Sequence, residues 1–216
     1  MDVIFTIVSR NYAAQAATLM QSLAAQEPKA RRVVVATDGP IPQLQALAEV
    51  IDAAELDVPY RAMSVYYDAL ELNTAVKPYV FKRFLAETSV KSATYLDPDI
   101  VVFRPLKRVR EGLKRAELVL TPHLTRPLLG VALPNDQAIL RSGSFNLGFC
   151  SMRAAERTRD LAAWWADRCE FDCRVDLPDG LFTDQRWMDL APGFVDSLDV
   201  VREPGLNLAY WNLEGR

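Results

Sequence analysis

The chain opens with an unbroken apolar run, VIFTIV at residues 3–8. Three polar positions later it takes up helical spacing from Tyr12 to about Ala25, with Asn11 placed to cap it. A second run, VVVAT at residues 33–37, stops at the turn sequence Asp38-Gly39-Pro40, and QLQALAEVI at residues 43–51 reads as another helix. The next helix is predicted from near Thr74 to about Glu87; it contains Pro78, which a first turn tolerates because its amides lack intrahelical partners. Residues 92–96 then read as a strand, Asp97-Pro98-Asp99 as a break, and residues 100–103 and 118–121 as further strands. Residues 122–142 hold three prolines and little periodicity, a length at which a loop is usually functional or disordered, before residues 145–151 resume the sheet. An amphipathic helix is expected after Arg153 to about Phe171, with Leu161, Trp164 and Trp165 on its apolar side. Pro178-Asp179-Gly180 then forms a turn, residues 182–190 a short helix, and Val200, Val201 and residues 206–210 short terminal strands. Continuous apolar strands interleaved with helical segments predict an α/β chain with a mainly parallel central sheet flanked by helices.

Composition narrows this picture. With 216 residues, half of them hydrophobic, the chain can bury one sizeable core, and the absence of any linker or repeat makes residues 1–216 a single expected domain. A net charge of -3, from 25 basic and 28 acidic residues, offers no positive field for nucleic acid or an anionic membrane. No window approaches the roughly 20 apolar residues of a membrane span, and MDVIFTIVSRN carries Arg10 too early for a signal peptide. Cys150, Cys169 and Cys173 are an odd set, the last two spaced poorly for a disulfide; they read as buried reduced thiols, which places the chain in the cytoplasm.

Against that background, SATYLDPDIVVFRP at residues 92–105 asks why two carboxylates interrupt an apolar stretch. In an open α/β sheet ligands bind outside the carboxyl ends of strands, where Asp97 and Asp99 fall. Pro98 fixes the backbone between them, and two aspartates one residue apart can turn to a common side as hard oxygen ligands for Mg²⁺ or Mn²⁺. The tripeptide alone also fits a plain strand-end turn whose carboxylates cap backbone amides.

YLDPDIVVF resembles the Asp-X-Asp region of sugar-nucleotide-dependent glycosyltransferases with the GT-A fold, in particular the retaining family-8 type that includes glycogenin and lipopolysaccharide galactosyltransferases. Other segments agree in order. Thr6, Ile7 and Val8 resemble the nucleotide-binding first strand, Asp38-Gly39 the end of the second, and residues 77–83 the basic helix before the metal motif. Ser144-Phe145-Asn146-Leu147-Gly148 resembles that family's Phe-Asn-X-Gly segment, and Thr183-Asp184-Gln185 its Asp-Gln pair. The set spans almost the whole chain; no single motif in it is specific.

The resemblance implies a Rossmann-like transferase domain in which Asp97 and Asp99 hold Mn²⁺ or Mg²⁺ and the donor diphosphate, with Asp97 also near the ribose. It sets Thr6, Val8, Asp38 and Pro98 against the nucleotide. It brings Lys77 and Arg83 toward the donor phosphates or sugar, the alternative for both being a solvated helix face. Asn146 would line the donor-sugar pocket, or be a strand-end amide satisfied by backbone. Asp184 and Gln185 would lie beneath the sugar near its anomeric carbon, or Asp184 would cap the helix that follows. Ser9, Arg10 and Asn11 follow the first strand, where their donors could meet base or diphosphate, and Tyr12 could stack on the base or join the core.

One departure stands out. Family members often add a late histidine to the metal site, whereas here His123 stands alone, lining the donor-sugar side or serving structure; the chain closes on NLAYWNLEGR, with Asn207, Trp211 and Asn212 at an acceptor or nucleotide edge. The sequence therefore reads as cut short at its C-terminus, with an incomplete metal shell. The function expected is metal-dependent transfer of a hexose from a nucleoside diphosphate sugar, UDP-linked, with retention, to an unidentified acceptor such as a glycan or cell-surface polysaccharide precursor. The rivals are a silent nucleotide-sugar-binding domain and a sugar-1-phosphate nucleotidyltransferase; the stretch after Val8 lacks the glycine-rich phosphate loop that the latter needs.

Overall fold

The computed structural model describes residues 1–127 and 135–215. In chain order its strands and helices are β1 (Asp2–Val8), α1 (Ala13–Gln26), β2 (Arg31–Ala36), β3 (Glu49–Asp52), α2 (Tyr60–Tyr66), α3 (Ala69–Ala75), α4 (Lys77–Ala86) and β4 (Ser92–Leu96). They continue with α5 (Lys107–Arg115), β5 (Leu118–Pro122), α6 (Asp136–Ser142), β6 (Phe145–Arg153), α7 (Glu156–Cys169), β7 (Val175–Asp176), β8 (Leu181–Phe182) and β9 (Leu198–Val200).

Among the described residues the main sheet runs β3-β2-β1-β4-β6-β5-β9, with β7-β8 a separate ribbon. β1, β2, β3 and β4 pair in parallel, as do β5 and β9, while β6 runs antiparallel to both β4 and β5. The sheet is α/β and mostly parallel, as its apolar strands predict.

Because side chains alternate across a strand, the run VIFTIV splits between two cores. Val3, Phe5 and Ile7 join Val33, Val35, Phe81, Phe84 and Trp165 on the α4 and α7 side, whereas Ile4 and Val8 meet Leu19, Met20 and Leu23 of α1 on the other. Phe5 is fully buried with its ring 5.0 Å from that of Phe81 and 5.4 Å from that of Tyr95, edge-on or tilted. Truncating such a residue to alanine costs about 3–5 kcal/mol.

Several sequence expectations fail here. The leucine-rich segment at residues 43–51 is a single 3₁₀ turn, Pro42–Leu44, followed by the edge strand β3, which pairs Val50 with Val34. The free edge of β2 satisfies more backbone groups than a lone short helix, and β-branched Val50 and Ile51 suit it. Residues 100–103 form no strand: Val102 is buried and its amide donates to Ser22 Oγ at 3.1 Å, while Phe103 is 83% exposed. Residues 206–210 are likewise irregular, Asn207 having φ +57°. The helix foreseen from Thr74 divides into α3, opened by a capping box between Asp68 and Glu71, and α4, with Pro78 in its first turn. Asn11 lies in the 3₁₀ turn Arg10–Tyr12 that precedes α1 and makes no cap bond to it. All three cysteines are free and buried.

Candidate active site

In the order β2-β1-β4, the chain leaves β1 toward one neighbour and later fills the place on the other side, so a crevice opens at the carboxyl ends of β1 and β4. The segments after β1, β2 and β4 therefore share one edge: Ser9 to Tyr12, Asp38, and Asp97 to Asp99. Since β6 runs antiparallel to β4, its first residues lie at that same edge, and the Asp97 amide donates to Gly148 O at 2.8 Å. The two segments DPD and FNLG, which start 48 positions apart in sequence, are thus hydrogen-bonded neighbours.

Asp97-Pro98-Asp99 is a turn as well as a candidate site. Ile100 N donates to Asp97 O at 3.1 Å, with proline in the position that suits its fixed φ. Tyr95 OH donates to Asp97 Oδ1 at 2.6 Å. Asp99 is exposed and Pro98 half-buried. Asp97 Oδ2 faces Gly148 so closely that a Cβ there would stand 2.7 Å from it, 3.1 Å from Asn146 Oδ1 and 3.2 Å from Asn207 Oδ1. Only glycine fits.

Beneath this edge lies a buried ion pair. Lys77 Nζ is 2.7 Å from Asp184 Oδ2, donates to Leu147 O at 3.0 Å and stands 4.2 Å from the Tyr95 ring centre. Asp184 Oδ2 thus has the Lys77 ammonium as its counter-charge. Asp184 Oδ1 accepts from the Thr183 hydroxyl at 3.3 Å, and its carbonyl accepts from Trp165 Nε1 at 2.9 Å. Thr183 holds φ +46°, an uncommon conformation for a β-branched residue and one that costs of order 1–3 kcal/mol. That strain aims Asp184 inward, so it does not cap the following 3₁₀ helix.

Charge is unbalanced here. Burial pushes the Asp97 carboxyl up, and Asp99 and Asp184 push it further, against the pull of Lys77 and the Tyr95 hydroxyl. Burial also raises Asp184 despite Lys77. Lys77 itself is held up: burial drags it down, but Asp184 and Asp97 together outweigh that. One ammonium serves several carboxylates, a surplus of negative charge that a cation would relieve.

The remaining expected residues divide. Ser9 Oγ bonds Asn11 Oδ1 at 2.6 Å, and both oxygens of Asp38 accept from Arg10 N at 2.9 and 3.0 Å, which pins the loop after β1. Tyr12 is 41% exposed, so it is not a core residue. Thr6 is fully buried, its hydroxyl without a hydrogen-bond partner among the described residues. Val8 is buried too, and its carbonyl is taken by the Thr37 amide and hydroxyl. Asn146 Oδ1 accepts from Gly148 N at 2.9 Å, the backbone-satisfied alternative, although its position beside Asp97 also suits a pocket wall. Gln185 Nε2 donates to Ser142 O at 2.7 Å. His123 is buried, with Nδ1 2.8 Å from Gly143 O. Arg83 is exposed and its charge acts on Glu49, which opens β3 at the opposite end of the sheet, so it does not approach the site. Lys77, far from being a solvated helix residue, is 1% exposed. The side chain of Trp211 lies outside the described part of the chain.

Sequence reasoning missed Asn73, which accepts from Thr37 Oγ1 at 2.5 Å and donates to Ser9 Oγ at 3.5 Å, and Tyr95, the partner of Asp97. Tyr95 had a signal, two residues before Asp97 on the same strand face. Asn73 had none. Among the described residues no group of three or more His, Cys, Asp and Glu side chains is arranged to hold a metal ion, so any ion must draw on other oxygens as well.

Comparison with solved structures gives the same architecture. The galactosyltransferase LgtC, in complex with donor and acceptor sugar analogues, superposes with a TM-score of 0.57 at 15% identity over 93% of this chain and 73% of its own. GlyE, a glycosyltransferase of Streptococcus pneumoniae TIGR4, gives 0.58 at 16% over 93% and 45%. Mouse xyloside xylosyltransferase 1 gives 0.51 at 13% over 93% and 85%. The chain has the GT-A fold. No family model matches it. Among curated proteins it is similar to two uncharacterized proteins of Bacillus subtilis strain 168, YfnF (24% identical over 67% of this chain) and YfnD (27% over 56%), of which the matches span 48% and 37%. The chain thus covers about half of these relatives or less.

Proposed function

We propose that the chain is a glycosyltransferase that moves a hexose from a nucleoside diphosphate sugar, UDP-linked, to an acceptor such as a glycan or polysaccharide precursor, with retention. The observation that carries this reading is the meeting of Asp97 and the buried Lys77–Asp184 pair at the open edge of a GT-A sheet. Asp97 and Asp99 are the residues that would hold Mn²⁺ or Mg²⁺, and the fit rests on the unbalanced carboxylates and on the hard oxygens gathered over Gly148. Such an ion, when bound, neutralises charge developing on the diphosphate leaving group.

Asp184, held by Lys77 below that edge, supplies negative charge for an oxocarbenium-like sugar, with Gln185 next to it in the chain. Neither is assigned as a covalent nucleophile. The loop pinned by Asp38 presents Ser9, Asn11 and exposed Tyr12 to the base and phosphates, and Pro98 and His123 border the nucleotide and sugar sides. No helix among the described residues is long and apolar enough to cross a membrane, and the buried free thiols support a reducing, cytoplasmic setting.

Calorimetry of UDP binding tests the reading. UDP should bind in the presence of Mn²⁺ and lose that binding in Asp97→Ala; equal binding without metal would sink the metal bridge. Hydrolysis of a panel of UDP-sugars separates an enzyme from a silent nucleotide-sugar binder.

A further inference from the structure

Three side-chain oxygens, of Asp97, Asn146 and Asn207, stand nearest the position that a Cβ on Gly148 would take. Asp97 Oδ2 and Asn207 Oδ1 would stand 2.7 and 3.2 Å from a Cβ on that glycine, so the two are no farther apart than the sum of those distances. Asn207 is oriented rigidly. Its Nδ2 donates to Thr121 Oγ1 at 2.7 Å and to Asn146 O at 3.0 Å; a backbone carbonyl can only accept, so the amide cannot be turned the other way round. The Asn207 carbonyl accepts from Asn212 Nδ2 at 3.2 Å, and the residue is held at φ +57°, where few residues other than glycine and asparagine sit without cost.

With Nδ2 committed, Oδ1 is the end turned toward the Gly148 Cβ position that Asp97 Oδ2 also faces. Oxygens of like partial charge gathered around one position repel, and a positive occupant there offsets that cost. We propose that Asn207 is a ligand of the site's divalent cation, its amide oxygen joining Asp97. This rests on the metal-dependent reading above and adds to it a residue on the far side of the crevice. It also makes the site oxygen-only, a preference for Mg²⁺ or Mn²⁺ over softer ions.

The test is Mn²⁺ titration of the intact chain, with and without UDP, following the paramagnetic resonance signal of free Mn²⁺, with circular dichroism to confirm folding. The expected result is that Asn207→Ala weakens Mn²⁺ binding about tenfold or more, while Asn207→Asp, which loses Nδ2 but keeps the oxygen and gains charge, binds at least as tightly as the native chain. If Asn207 were only a structural strap, Asn207→Asp would be as poor as Asn207→Ala, and that result overturns the proposal. So does native binding in Asn207→Ala when Asp97→Asn is weakened, an outcome that leaves the metal-dependent reading intact. No Mn²⁺ uptake by the native chain, with UDP or without, removes that reading and this one together. Should the alanine variant fail to fold, the aspartate variant decides alone.

Discussion

Lys77 and Asp184, 107 positions apart in sequence, meet through a 2.7 Å contact between side chains that are each 2% exposed. A pair so far from water is stable only as a pair, because either charge alone would be buried without compensation.

The first prediction follows directly. Lys77→Met should destabilise the fold by about 3–5 kcal/mol, whereas Lys77→Met with Asp184→Leu should recover most of that loss and still fail to turn over a UDP-sugar. Urea denaturation of both variants measures it. A loss under about 1 kcal/mol in the single variant, of the size expected for an exposed pair, would contradict the burial.

A second concerns pH. The Asp97 carboxyl is raised above its ordinary value, by burial first. Between the unfolded and folded values the native state holds the extra proton, so this group's contribution to stability is greatest at low pH and is lost as pH rises through the folded value. Protons and a divalent ion compete for that carboxylate. Affinity for Mn²⁺ with UDP should therefore fall as pH drops, the loss beginning above the usual carboxylate range. The Tyr95 hydroxyl favours the ionised form, so Tyr95→Phe should move the loss to higher pH, as calorimetry across a pH series would show. An unmoved midpoint would exclude Tyr95 as the tuning group.

Gly148→Ala is the third. Its methyl would fall 2.7 Å from Asp97 Oδ2, so the carboxylate must shift. The expected cost is about 1–3 kcal/mol in stability, with nucleotide binding reduced well beyond what that destabilisation explains. Thermal melts and calorimetry on one preparation separate the two effects.

Two exposed residues supply a contrast. Tyr12→Ala should weaken UDP by about 1–3 kcal/mol if the ring stacks on the base, with stability almost unchanged because the ring is 41% exposed. Arg83→Ala, at the other end of the sheet beside Glu49, should alter neither. Equal UDP affinity in both variants would remove Tyr12 from the site.

The alternation of apolar runs with helical spacing was enough to read β1, β2, β4 and β6 and the breaks that end them, because a strand buried on both faces leaves a near-continuous apolar signature. The placement of Asp97 and Asp184 was legible through the ordered motifs. What was not legible is contact across the sheet. Whether Lys77 faces water or Asp184 depends on how α4 packs on β4 and β6, and Lys77 and Arg83 look alike in sequence although α4 carries them to opposite ends of the sheet. β3 escaped detection because its four residues, Glu49–Asp52, are too few for periodicity to outweigh the leucines before them. The apolar residues 100–103 misled for the opposite reason: they pack without joining a ladder.

The antiparallel β4–β6 ladder pairs Leu96 with Phe149, and its next rung is the Asp97 amide itself, bonded to Gly148. Ladders fray from their ends. Warming should therefore loosen the carboxylate's own anchor before any strand separates, so that heat inactivation sets in at a lower temperature than the cooperative melt, and cooling restores what the first stage of heating removed.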